Sequence, residues 1–96
     1  MFEMPRPERP VNEPREVRIK RLAMRSMRRG IKEMDLILQA YATDSLQSMD
    51  ADGLTLYDDL LDENDHDLYQ WVTGQFAPKP QYAALVKDIQ AHVAKG

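Results

Sequence analysis

The densest group of chemically capable side chains is a run of acids in the second half of the chain. Six carboxylates and one histidine fall within ten positions: Asp58, Asp59, Asp62, Glu63, Asp65, His66 and Asp67. Such a density could bind a divalent cation or supply a general acid and base. The spacing favours a structural interpretation, because helical periodicity sets Asp58, Asp59 and Asp62 opposite an apolar stripe. Asp65 and Asp67 fall in the first turn of a helix, where the dipole favours acids.

Other residues with catalytic or metal-binding potential form no complete pattern. Asp50, Asp52 and Gly53 match part of a calcium loop, but the position that needs a bidentate glutamate holds Asp59. His66 and His92 stand without a serine or cysteine nucleophile pattern, and the chain has no cysteine. We therefore expect no enzyme, no catalytic residue and no metal site. A small carboxylate or metal enzyme stays open as an alternative, which tight, stoichiometric metal binding would favour.

Charge is strongly segregated along the chain. Residues 15–32 hold eight basic residues and one acid, whereas residues 33–78 hold eleven acids and no lysine or arginine. A basic first helix could neutralise nucleic-acid phosphates, and a small helical nucleic-acid-binding protein is the main alternative function. The pI of about 5.3 and the lack of Asn, Gln or Ser on the basic face argue against it. We expect no nucleic-acid partner.

The first helix is interrupted within the segment Arg28-Arg29-Gly30-Ile31-Lys32-Glu33. A glycine just past a helix can take the left-handed conformation that closes it, and Glu33 fits the N3 position of the next helix. An exposed glycine also lets a partner backbone approach closely, while Arg28, Arg29 and Glu33 offer charge-assisted hydrogen bonds of both signs. This break is our candidate protein-docking site.

The surrounding pattern predicts an all-α fold, a compact bundle of five short helices. Pro5, Pro7, Pro10 and Pro14 indicate a disordered arm over residues 1–14, followed by one helical domain over residues 15–96. Asp50 or Asp52 is expected to cap the third helix and Asn64 the fourth, which stops at Gly74. The predicted core lists, in helix order, Ile19, Leu22, Ala23, Ser26, Met27; Met34, Ile37, Leu38, Tyr41; Leu54, Tyr57, Leu60, Leu61; Leu68, Trp71, Val72; and Tyr82, Leu85, Val86, Ile89, Val93.

The sequence resembles the succinate dehydrogenase assembly factor 2 family, called SdhE in bacteria, over residues 16–93. The resemblance is carried by the Arg-Gly-x-x-Glu signature at Arg29, Gly30 and Glu33, with its extension to Leu36. It is strengthened by Leu60-Leu61-Asp62 and by Asp65-His66-Asp67-Leu68-Tyr69-Gln70-Trp71 at fitting distances. The proline-rich arm lies outside the family pattern.

This resemblance implies an adaptor that binds the flavoprotein subunit of succinate dehydrogenase or fumarate reductase and promotes covalent attachment of its FAD. The FAD would belong to the partner, with no cofactor held stably by the adaptor. The partner-binding residues implied are Arg28, Arg29, Gly30, Glu33 and Asp35. The adaptor is expected to be a monomer when free.

Two further expectations concern location. No apolar stretch approaches the roughly 20 residues that span a bilayer, so we expect a soluble protein without membrane insertion. Residues 1–10 carry acids and prolines and match no targeting segment, which favours the bacterial cytoplasm over the mitochondrial matrix.

Overall fold

The computed structural model describes residues 13–95, which contain five α-helices and no strand. They are α1 (Arg15–Arg25), α2 (Lys32–Ser45), α3 (Ala51–Leu60), α4 (Asp65–Val72) and α5 (Ala83–Ala94), with 3-10 turns over Leu46–Ser48 and Pro80–Tyr82. The prediction of an all-α, five-helix fold is confirmed. Of the predicted arm, residues 1–12 lie outside the described part of the chain. No helix among the described residues is long and apolar enough to cross a membrane.

The helix ends follow the predicted capping residues. Asp50 Oδ1 accepts a hydrogen bond from Gly53 N at 2.7 Å, and Asn64 Oδ1 accepts one from His66 N at 2.8 Å. These bonds satisfy amide groups that have no partner inside a helix at its first turn. Gly74 follows α4 with φ 80°, the left-handed conformation that glycine adopts without steric cost.

One hydrophobic core joins all five helices. Its buried apolar side chains are Ile19, Leu22, Met34, Leu38, Tyr41, Ala42, Leu46, Leu54, Tyr57, Leu60, Leu61, Leu68, Trp71, Val72, Tyr82, Leu85, Val86 and Ile89. The rings of Trp71 and Tyr82 lie 6.1 Å apart, which fits the prediction of a tryptophan core anchor. Met27 and Val93 were predicted in the core but are 42% and 43% exposed. Met27 lies beyond the end of α1, and Val93 lies in the last turn of α5, where the helical stripe no longer faces the core.

Helix α1 turns its arginine side chains toward α3. Arg21 Nη2 donates to Asp58 Oδ2 at 2.8 Å, and Arg25 pairs with both Asp58 and Asp62. Asp58 is fully buried, so its predicted place on a solvated helix face is wrong. Hydrogen bonds from Arg21 to Asp58 and to Glu13 raise the arginine pKa above its usual range. We call Arg21, Arg25, Asp58 and Asp62 the α1–α3 ion cluster.

Candidate functional site

The predicted helix break forms the α1–α2 turn, residues 26–31. Helix α1 ends at Arg25, five residues before Gly30, with Ser26 as its C-cap. Ser26 is fully buried, with its hydroxyl oxygen 2.9 Å from Leu22 O and 2.6 Å from Tyr57 Oη. Burial raises the pKa of Tyr57 to about 12, so the phenol stays neutral over the physiological range. This hydroxyl pair fixes the start of the turn to α3.

The left-handed residue of the turn is Arg28, with φ 56°. The prediction that Gly30 closes α1 in that conformation is wrong, because its φ is not positive. Arg28 N donates to Asp35 Oδ1 at 2.8 Å, so a carboxylate from α2 holds this uncommon backbone conformation. The Arg28 side chain remains exposed, whereas Asp35 is half-buried and directed at the turn.

Gly30 lies against the first residue of α4. Its N–H donates to Asp65 Oδ2, and a Cβ built on Gly30 would lie 3.1 Å from that same oxygen. This distance is shorter than an ordinary van der Waals contact, so a larger residue would push Asp65 away. A side chain at position 30 would therefore require the Asp65 carboxylate to shift by a few tenths of an ångström.

Arg29 also points inward. Its Nε donates to Asp65 Oδ1 at 2.7 Å, its Nη1 to Arg25 O at 3.2 Å and its Nη2 to Glu63 O at 3.4 Å. Its side chain is only 12% exposed. The structure thus places Arg29, predicted to contact a partner, in contact with α1 and the start of α4.

Glu33 is the outward-facing member of the Arg-Gly-x-x-Glu signature. It is exposed and has no hydrogen bond or ion pair within residues 13–95. Because Ile31 is the N-cap of α2, Glu33 occupies the second helical position, one earlier than predicted. Its charge is favoured there by the helix dipole. Beside it, Lys32 and Arg28 are exposed as well, so the turn presents charges of both signs.

The remaining candidate chemistries are not assembled into a site. His66 is exposed, and His92 Nε2 lies 2.7 Å from Asp44 Oδ2. Among the described residues no group of three His, Cys, Asp or Glu side chains is placed to hold a metal ion. Arg18, on the basic face of α1, bonds to Thr55 of α3, as Arg21 and Arg25 bond within the ion cluster. The basic face of α1 is largely occupied by α3.

Comparison with known proteins identifies the family to which this chain belongs. A family model described as "Flavinator of succinate dehydrogenase" matches residues 20–93. The chain belongs to this flavinator family. It is 40% identical over 90 residues to succinate dehydrogenase assembly factor 2-B, mitochondrial, of Drosophila mojavensis, covering 91% of this chain and 57% of that protein. It is 37% identical over 91 residues to the Drosophila grimshawi assembly factor 2, covering 91% and 62%. It is 40% identical over 89 residues to that of Saccharomyces cerevisiae (strain YJM789), covering 88% and 55%.

Family membership confirms the resemblance and corrects one expectation. These flavinator relatives are named as mitochondrial proteins, which contradicts the predicted bacterial cytoplasmic location. That prediction relied on the composition of residues 1–10, which matches no targeting segment. The names of the relatives are the stronger evidence on location. The chain spans about three fifths of the length of the relatives that it matches.

Sequence reasoning missed three residues in or beside the α1–α2 turn. Asp65 was interpreted only as a dipole complement, and no spacing rule could pair it with residues 35 and 36 positions earlier. Leu36 is 60% exposed, and its position out of phase with the Met34, Leu38 and Tyr41 stripe was a usable signal. Met27 was missed because it was assigned to the core.

Proposed function

We propose that this chain binds the flavoprotein subunit of succinate dehydrogenase, or of fumarate reductase, and promotes covalent attachment of FAD to that subunit. It acts as a monomeric adaptor, is not an enzyme and keeps no cofactor of its own. Membership of the flavinator family and the relatives' names as assembly factors support the class of activity. The observation that carries the docking site is the exposed Glu33 beside a turn whose Arg28 and Gly30 amides are bonded to Asp35 and Asp65.

The surface around Glu33 has the composition of a protein-binding site. Arg28 N lies 2.8 Å from Asp35 Oδ1, and this contact brings the segments of the neighbouring residues Met27 and Leu36 together. Both apolar side chains are exposed, at 42% and 60%. Methionine and other large apolar groups supply binding energy when a partner removes them from water. The charged groups beside them would set orientation and register.

The chemistry belongs to the partner. The covalent bond joins a histidine of the flavoprotein to the 8-methyl carbon of its flavin, and both reacting groups lie outside this chain. An adaptor contributes by holding the flavoprotein so that ring and histidine are correctly oriented, which lowers the barrier through positioning. Glu33 and Arg28 would make the polar contacts of that complex, with Gly30 shaping the turn that presents them.

Replacing Glu33 tests this proposal. Glu33→Ala should abolish covalent flavin in the flavoprotein, while circular dichroism shows unchanged helix content, since the side chain makes no bond within residues 13–95. Covalent flavin is measured as fluorescence of the denatured flavoprotein band on a gel. Glu16→Ala is the matched control, because Glu16 is also an exposed glutamate in the first turn of a helix but lies on α1. Normal covalent flavin with Glu33→Ala would contradict the proposal.

A further inference from the structure

The side chain of Asp65 accepts hydrogen bonds from two donors of the α1–α2 turn, one a side chain and the other a backbone amide. Its Oδ1 accepts from the Arg29 guanidinium at 2.7 Å, and its Oδ2 accepts from the Gly30 amide. Asp65 is the first residue of α4, and its side chain is 17% exposed. One carboxylate therefore fastens two consecutive residues of the turn to the start of another helix.

The Arg29 guanidinium is directed into the chain by this arrangement. Each of its three nitrogen atoms has an acceptor within the chain, on Asp65, Arg25 or Glu63. A charge-assisted bond to a carboxylate is among the strongest that an arginine forms. The Arg29 side chain is only 12% exposed, so little of this guanidinium faces a partner, whereas Glu33 is exposed.

The Gly30 contact has the same origin. Because a Cβ would lie 3.1 Å from Asp65 Oδ2, any side chain at this position would press on the atom that accepts the Gly30 N–H. Arg29 bonds to the other oxygen of Asp65, so a shift of the carboxylate would also disturb that pair. The Arg-Gly half of the signature and Asp65 are thus one anchor.

We infer that Asp65 is a positioning residue for partner docking, acting through Arg29 and Gly30, so that Arg29 works inside the chain while Glu33 meets the partner. This inference rests on the proposed function for its effect on docking. The anchor fixes the direction in which α2 leaves the turn, and with it the position of Glu33 in the first turn of α2. Losing the anchor weakens docking by loosening the turn, without removing any group that touches the partner.

A double-mutant cycle on flavoprotein affinity tests the inference. Arg29→Ala and Asp65→Ala should each weaken binding by about tenfold, and the double variant should be no weaker than either, because each variant already breaks the Arg29–Asp65 pair on which the anchor depends. Additive losses, about 100-fold together, would show that Arg29 contacts the partner independently and would overturn the inference. Asp67→Ala is the control: it removes another exposed acid from the first turn of α4, and binding should stay unchanged.

Amide hydrogen exchange of the free protein tests the anchor without the partner. The Gly30 N–H should exchange at least about tenfold faster in Asp65→Ala than in the wild type or in Asp67→Ala, because Asp65→Ala removes its acceptor. Unchanged Gly30 exchange would overturn the inference. Glu33→Ala should leave this exchange rate unaltered although it abolishes binding. If the wild type binds no flavoprotein, the proposed function fails, and the exchange rates still decide whether the anchor exists.

Discussion

The α1–α3 ion cluster and the α1–α2 turn are built from the same residue types and use them in opposite ways. In the cluster, Arg21 and Arg25 converge on the fully buried Asp58. In the turn, Arg29 and Asp65 pair near the surface, and Glu33 next to them keeps its charge exposed. The charges of the ion cluster therefore pair with one another and hold α1 against α3. In the turn, the Arg29–Asp65 pair is internal and Glu33 remains exposed.

The difference shows that charge density alone does not locate a binding surface. The most basic segment of the sequence is α1, but its arginines Arg18, Arg21 and Arg25 bond to residues of α3 or just after it. These arginines therefore add little to an exposed surface. The exposed Glu33 beside exposed Met27 and Leu36 offers more to a partner than Arg18, Arg21 and Arg25, which are already bonded. Mutations in the two regions should consequently separate stability from function.

The largest expected effect is on stability, from Asp58→Ala. Removing a buried carboxylate that pairs with two arginines should lower the free energy of unfolding by about 3 kcal/mol, since the guanidinium groups lose their acceptor in a partly buried place. Urea denaturation measures it. The matched control is Asp62→Ala, which removes a 20% exposed carboxylate from the same Arg25 and should cost less than about 1 kcal/mol. Equal losses for the two variants would show that burial does not distinguish them.

A smaller effect is expected from alkaline pH. The pKa of Tyr57 is raised to about 12 by burial, against 10.0 for the unperturbed group. The unfolded chain therefore loses this proton first, so stability is intact below pH 10 and falls as the pH rises toward 12. The contribution lost by pH 11 is about 1.4 kcal/mol for this group. Denaturation at pH 8 and pH 11 measures the loss, and Tyr57→Phe should reduce it. A loss unaffected by Tyr57→Phe would assign it to other groups, such as Tyr41, whose pKa is also raised by burial.

Gly74 and Gly30 give a third comparison, between a residue that should matter for stability and one that should matter for partner binding. Gly74→Ala should lower the free energy of unfolding by about 1 kcal/mol, because Gly74 has φ 80°, yet it should leave partner binding intact. Gly30→Ala should do the reverse, changing stability little and weakening binding, since its Cβ meets only the Asp65 carboxylate. Denaturation and a binding titration on both variants test this. Equal binding by the two would show that the space beside Gly30 does not matter.

The helices and the core were predictable because apolar periodicity and cap residues are local signals. Asp50 and Asn64 cap helices as expected, and the stripe through Leu68 and Trp71 is buried. The pairing of α1 with α3 was not predictable, because arginines at helical spacing form the same pattern whether they face water or an acidic helix. The bond partners of Arg21 and Arg25, on α3 and just after it, lie 33 to 37 positions away. The contacts of Asp65 with Arg29 and Gly30 were not predicted for the same reason, because these residues are 36 and 35 positions apart in the sequence.

The five predicted docking residues divide along the same line. Arg28 and Glu33 have exposed side chains at the helix break. Arg29, Gly30 and Asp35 belong to the same motif but are bonded within the chain, the first two to Asp65 and the third to the Arg28 amide. Only tertiary structure distinguishes a charged group that meets a partner from one that shapes the surface, because both belong to the same short motif.

The smallest expected effect is the salt dependence of partner binding. Glu33, Lys32 and Arg28 are exposed, so raising salt from about 0.05 to about 0.5 M should screen their contacts and weaken binding severalfold. The ion cluster is less accessible to screening because Asp58 is fully buried, so unfolding should respond less than binding does. Binding titrations and denaturation at both salt concentrations give the comparison. An affinity that does not change with salt would mean that apolar contacts dominate the docking surface. Leu36→Ala should then weaken binding more than substitution of Lys32 or Arg28 does.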